Sequence, residues 1–178
     1  MGTEKIFRRR DAVERAREHR EDGKCVVFTN GCFDLLHVGH LHALMYAKSL
    51  GDVLLVALNS DESVRRLKGP RRPLFPEDER ALLLACLECV DMVTLFHEDT
   101  PLELLRQVQP QVLVKGAQYD THLIVGASDV LSWGGRVEKA PMVQGRSTTE
   151  LIQRIQRMEA DPRSESNGMT ETSNGETP

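Results

Sequence analysis

Short apolar runs alternating with segments of helical period predict an α/β fold: a Rossmann-like parallel sheet with helices on both faces, in a single domain. Two observations carry this. Cys25-Val26-Val27-Phe28 reads as a buried strand, and after a polar turn Val38, Leu41 and Met45 recur at helical spacing up to Leu50, where Gly51-Asp52 supplies a stop. The next apolar run, Val53 to Leu58, follows after a helix-length connection, which implies parallel pairing. With 178 residues, 40% of them hydrophobic, the chain is long enough for one domain with a substantial core.

Residues 1–23 form an N-terminal helical extension, in which Asp11 to Asp22 is weakly amphipathic and Gly23 ends the helix, covering the sheet. Arg8, Arg9 and Arg10 read as a solvated helix start. The domain proper spans 24–159. Its second strand, Val53 to Leu58, delivers Asn59-Ser60-Asp61 to the same sheet edge as the first, and Asp61 is favoured as a helix N-cap. Then comes Arg65-Arg66-Leu67-Lys68-Gly69-Pro70-Arg71-Arg72, five cations in eight residues, which Gly69-Pro70 and Pro73 place on a loop. Pro76 to Val90 reads as a helix with an acidic first turn, and Ala81 to Leu87 is apolar all round, buried in the core or against a second subunit. Strands Asp91 to Phe96 and Gln111 to Lys115 flank a Pro101 to Val108 helix capped by Thr100. A helix from Leu123 to Trp133 and a strand from Arg136 to Ala140 follow. Ser147 and Glu150 form a capping box for a last helix carrying Leu151, Ile152 and Ile155.

Charge and composition exclude several classes. The net charge is −4, of which Ala160 to Pro178 holds −3 from one cation and four anions, leaving a nearly neutral body with no basic nucleic-acid surface. The tail 160–178 is too polar to fold and reads as disordered. No apolar run of about 18 residues exists, and Met1 to Arg10 lacks a signal-peptide core, so a cytoplasmic protein without a membrane partner is expected. Four cysteines suit a reducing compartment. Cys86 and Cys89 make a lone C-x-x-C, weak evidence for zinc, and buried free thiols are expected.

The stretch Thr29-Asn30-Gly31-Cys32-Phe33-Asp34-Leu35-Leu36-His37-Val38-Gly39-His40 carries the chemistry. It sits where a strand turns into a helix, the position at which open α/β sheets bind ligands. Backbone N–H groups and the dipole of the first helical turn suit a phosphate. His37 and His40 add two imidazole donors, and Gly39 lets a ligand approach the backbone between them. Phosphate anions would favour their charged form and meet charge developing on phosphorus. A helical zinc pair would stand four apart with a carboxylate, as in H-E-x-x-H, and that pattern is absent. The residues read as a phosphate-transfer site without a covalent nucleophile.

Thr29 to His40 resembles the signature of the HxGH nucleotidyltransferases, which include the cytidylyltransferases, and the full string is most similar to adenylyltransferases acting on D-glycero-D-manno-heptose 1-phosphate. The resemblance continues through Leu58 to Asp61, Arg66 to Gly69, Val114-Lys115-Gly116 and Gly145 to Thr149, covering Lys24 to Arg157. It implies catalytic roles for His37, His40 and Lys68. It implies nucleotide contacts from Thr29, Asn30, Gly31, Cys32, Phe33, Gly39, Asn59, Arg72, Arg80, Lys115, Gly116, Ser147, Thr148 and Thr149. Asp34, Lys68 and Gln118 fall on the acceptor side. For Arg80 an ordinary intrahelical ion pair is the alternative, and Asp34 either orients a histidine or a metal-bound water or merely shapes the turn. Gln118 departs from the family's G-x-D-Y pattern, since an amide cannot carry a carboxylate's charge.

The implied reaction is transfer of AMP from ATP to a sugar 1-phosphate, with Mg²⁺ carried by the triphosphate and no resident metal. The acceptor is already an anion, so no general base is needed. A homodimer and a separate upstream sugar kinase are the expected partners. The rival substrates are CTP with glycerol 3-phosphate or another phospho-alcohol, and a rival class is a nucleotide-binding module without turnover. The residues alone do not choose between ATP and CTP.

Overall fold

A buried, wholly apolar strand is most stable with neighbours on both edges and helices on both faces, and the chain's central strands are of this kind. The structure, a computed structural model, describes residues 3–117, 123–141 and 148–159. After a 3₁₀ turn, Thr3–Lys5, the elements run β1 (Ile6–Phe7), α1 (Arg9–Glu21), β2 (Val26–Gly31), α2 (Val38–Lys48), β3 (Val53–Asn59), α3 (Asp61–Lys68) and α4 (Glu77–Ala85). They continue with β4 (Met92–Phe96), α5 (Leu102–Val108), β5 (Val112–Gly116), α6 (Ala127–Ser132), β6 (Arg136–Ala140) and α7 (Thr148–Glu159). All six strands are parallel, in the order β1-β4-β3-β2-β5-β6. The Rossmann-like α/β expectation holds.

Alternation along the strands divides the core in two. Val26 and Phe28 of β2, with Leu55 and Ala57 of β3, face Ala12 and Ala16 of α1 and the α5 residues Leu104, Leu105 and Val108. Val27, Leu54, Val56 and Leu58 face the other way, onto Leu44 and Ala47 of α2 and Ala81, Leu84 and Ala85 of α4. The strand order reverses at β2, whose neighbours are β3 on one side and β5 on the other, so the carboxyl ends of β2 and β5 form the crevice where such sheets bind ligands.

Several boundaries differ from expectation for identifiable reasons. The described part of the extension, residues 3–23, gives a helix and also an edge strand: Ile6 and Phe7 pair with Val93 and Thr94, two residues being too few for any periodic signal. Ala12 and Ala16 are fully buried, and Lys5 Nζ donates to the carbonyls of Leu87 and Val90, so this extension is knitted into the core. On α2, the residues that announced a helix, Val38, Leu41 and Met45, are exposed, and the inward face is Leu44 and Ala47. α4 ends at Ala85 rather than Val90, and its Leu82 and Leu83 are exposed in the single chain rather than buried in its core. α5 starts after Pro101 with no side-chain cap, so Thr100 does not cap it. α6 begins only at Ala127, behind Gly126 at φ 84°, where a Cβ would lie 2.0 Å from Leu105 Cδ2. Among the described residues no helix is long and apolar enough to cross a membrane. The tail 160–178 lies outside the described residues.

Candidate active site

β2 leaves the sheet at Gly31 and the chain then takes two left-handed non-glycine conformations, Phe33 at φ 45° and Leu35 at φ 56°. Each costs roughly 1–2 kcal/mol and persists only when its surroundings fix it. Here Asp34 supplies the fixing. Its side chain is completely buried, and its carboxylate accepts from Leu74 N at 2.9 Å, Phe75 N at 3.1 Å and Arg72 Nε at 2.6 Å. A Cβ at Gly31 would come within 3.1 Å of the Phe33 ring, a tight contact to which the ring would have to yield.

The loop hands over to α2 through His37, which is the helix N-cap. Its Nδ1 accepts from Gly39 N at 3.1 Å. A nitrogen that accepts carries no proton, so the neutral ring has its N–H on Nε2. His40 lies one turn on, with its ring stacked on that of His37 at 3.8 Å between centroids and 23° between planes, and Phe33 tilts against it at 5.3 Å. Burial lowers both pKa values, and His40, opposed also by His37, is pushed down to about 4. Burial thus favours the neutral form of both rings in the ligand-free protein.

The cation-rich segment divides in two. Arg65, Arg66 and Lys68 form the last turn of α3 rather than a loop, where the dipole favours them, and Arg66 is tied to Asp99 and Glu62. Arg72 sits on the loop beyond Gly69, held by Asp34. Burial pushes the Cys32 thiol up while Lys68, Arg80 and Arg72 pull it down, which places all three cations around the signature loop.

Some expected contacts are spent inside the protein. Arg80 is 0% exposed, and its guanidinium donates to the carbonyls of Phe75, Cys32 and Asn59 and to Asp61 Oδ1 at 2.6 Å. This corrects both readings of Arg80: it neither reaches a phosphate nor pairs within its own helix, because four internal acceptors use it. Asp61 is likewise corrected. Ser60 is the cap, accepting from Ser63 N, and Asp61 serves Arg80. Asn59 is buried with Nδ2 on Ser63 Oγ, and Thr29 donates its hydroxyl to Val114 O at 3.0 Å, tying β2 to β5, so neither side chain is presented as a nucleotide contact. Asp34 has no carboxylate oxygen to spare for acceptor or metal. Among the described residues no group of three or more His, Cys, Asp or Glu could hold a metal ion.

Other expected residues do converge. Lys115, at the end of β5, donates to Asn30 O at 3.2 Å across the point where strand order reverses, and burial brings its pKa down to about 8. Asn30 Oδ1 is buried there without a hydrogen-bond partner among the described residues. Gly116 ends β5 beside it. From the far end of the chain, Thr148 donates its hydroxyl to Asp34 O at 2.9 Å, and Glu150 acts electrostatically on His37, so the start of α7 abuts the signature loop. Thr149 is exposed there. Gln118, Ser147 and the Ser147–Glu150 box lie outside the described residues. What sequence reasoning missed is the bracing role of Asp34 and Arg80, and of Ser63, whose hydroxyl donates to Glu98 O. The Ser60 cap was findable, as a serine directly before an acidic first turn.

A family model described as cytidylyltransferase-like matches residues 28–163. The chain is similar to the bifunctional protein HldE of Trichlorobacter lovleyi, 55% identical over 151 residues that make up 85% of this chain and 31% of that protein. The HldE protein of Syntrophotalea carbinolica is 57% identical over 146 residues, 82% of this chain and 29% of that one. The chain thus spans under a third of these relatives' length. Among solved structures, a lipopolysaccharide core biosynthesis protein from Thermoplasma volcanium superposes with a TM-score of 0.56 at 32% identity, covering 68% of this chain and 98% of the other.

Proposed function

The chain belongs to the cytidylyltransferase-like family of nucleotidyltransferases, and from that premise we propose that it transfers AMP from ATP to D-glycero-D-manno-heptose 1-phosphate. An acceptor phosphate oxygen attacks the α-phosphorus, the bond from that phosphorus to the bridging oxygen breaks, and pyrophosphate leaves with the electron pair. The products are ADP-heptose and pyrophosphate. The observation that carries this reading is the stacked His37–His40 pair at the start of α2, beside the strand-order reversal. Two neutral imidazoles there offer N–H donors to a phosphate, and the anion in turn favours their protonation.

In this proposal His37 and His40 stabilise the transition state, while Lys68 and Arg72 hold the β- and γ-phosphates. Cys32, Phe33, Gly39 and the Thr148–Thr149 helix start bound the nucleotide, and Asn30 Oδ1 with Lys115 line the crevice between β2 and β5. Mg²⁺ enters with the triphosphate. The acceptor's phosphate comes from a sugar kinase, and the enzyme works as a cytoplasmic homodimer, a state that sedimentation at micromolar concentration measures.

Pyrophosphate release measured across ATP, CTP, GTP and UTP, each with heptose 1-phosphate, glycerol 3-phosphate or no acceptor, tests the assignment. Release confined to ATP with the heptose is expected. CTP with glycerol 3-phosphate would replace the substrates, and tight ATP binding without release under any acceptor would make the protein a nucleotide-binding module.

A further inference from the structure

A carboxylate buried among cations usually serves one of two ends, binding a ligand or aiming a neighbour, and the atoms it meets decide which. Asp34 meets three donors, all from the segment Arg72 to Phe75: two backbone N–H groups and the side-chain Nε of Arg72. The pairing is side-on. An arginine held at Nε keeps its Nη1 and Nη2 groups for a second anion, and among the described residues Nη1 and Nη2 of Arg72 meet no acceptor. The side chain remains 17% exposed, and its charge is felt at Cys32 in the signature loop.

We propose that Asp34 is a positioning residue that acts on the nucleotide only through Arg72, gripping the guanidinium at Nε so that its terminal amino groups face the β- and γ-phosphates. This rests on the triphosphate reading above. The same carboxylate fastens the Arg72 loop by Leu74 and Phe75, so the cation and its backbone are set by one group. Lysine cannot do the same work, because a single ammonium drawn to Asp34 has no separate edge to offer an anion.

Calorimetric binding of ATP and of AMP, which needs no turnover, separates aiming from mere folding. Arg72→Ala should weaken ATP binding on the order of 30-fold, as expected for loss of charge-assisted hydrogen bonds, and leave AMP nearly unchanged. Arg72→Lys should be as defective as Arg72→Ala. In Asp34→Asn, Oδ1 can still accept from Leu74 and Phe75 while Nδ2 opposes Arg72 Nε, so ATP binding should fall as in Arg72→Ala and AMP binding should hold. The double variant should be no worse than Arg72→Ala within about twofold, since one interaction cannot be lost twice. If Arg72→Lys binds ATP like the parent, or the two single losses multiply in the double variant, the aiming role is overturned while Arg72 stays a phosphate contact. If Arg72→Ala binds ATP like the parent, the phosphate contact and the aiming role both fall. Should Asp34→Asn not fold, as thermal unfolding would reveal, the comparison of Arg72→Lys with Arg72→Ala decides alone.

Discussion

His40 has shed its proton in the ligand-free protein, and a triphosphate beside it would restore one. With its pKa near 4 when free and raised by an anion, ATP binding at pH 6.5 should take up protons. Calorimetry in buffers of different ionisation enthalpy measures this, and equal uptake by His40→Asn would place the proton elsewhere. The same shift affects stability. The folded value lies below the ordinary 6.5, so the unfolded chain binds the extra proton, and stability should decline as pH falls from about 6.5 towards 4, less so in His40→Asn. In turnover, His40→Ala should lower kcat about 100-fold with little change in KM for ATP, as for a lost transition-state donor. Lys115 predicts the alkaline limb. With its pKa lowered to about 8, its positive charge is lost above that pH, so kcat/KM for ATP should fall there while kcat, which reports the ligand-bound state, falls later. A flat kcat/KM profile to pH 9 would remove Lys115 from nucleotide binding.

Four acceptors on three segments meet at Arg80 of α4: the signature loop at Cys32, the end of β3 with the start of α3, and the Arg72 loop at Phe75. Arg80→Ala would strand three carbonyls and the partly exposed Asp61 carboxylate, a loss of about 3 kcal/mol, read as a lower urea midpoint. A midpoint within experimental error of the parent's would show that the brace is dispensable. No pattern in the sequence could announce it, because the Cys32 and Asn59 carbonyls stand 48 and 21 positions away. Periodicity, by contrast, made every strand from β2 to β6 legible, because apolar side chains recur locally. It identified α2 but not its inner face, since Val38, Leu41 and Met45 recur at helical spacing while Leu44 and Ala47 are the residues that bury. The signature histidines were legible as a motif. Their stacking, and the cap that fixes His37's proton on Nε2, depend on a fold that spacing alone does not describe.

Across the molecule, the amino-terminal extension belongs to the core: β1 lengthens the sheet, and α1 buries Ala12 and Ala16 against it. Removing residues 1–23 should uncover the α1-covered face and cost several kcal/mol, at roughly 25 cal/mol per Å² of apolar surface re-exposed. Equilibrium denaturation would show it, and an unshifted curve would return this segment to the status of an appendage. The opposite end has a different relation to the whole. The last strand is complete at Ala140, yet the tie from Thr148 to Asp34 joins positions 114 apart. A polypeptide emerging from the ribosome can therefore finish its sheet before it possesses the helix start that closes against the signature loop.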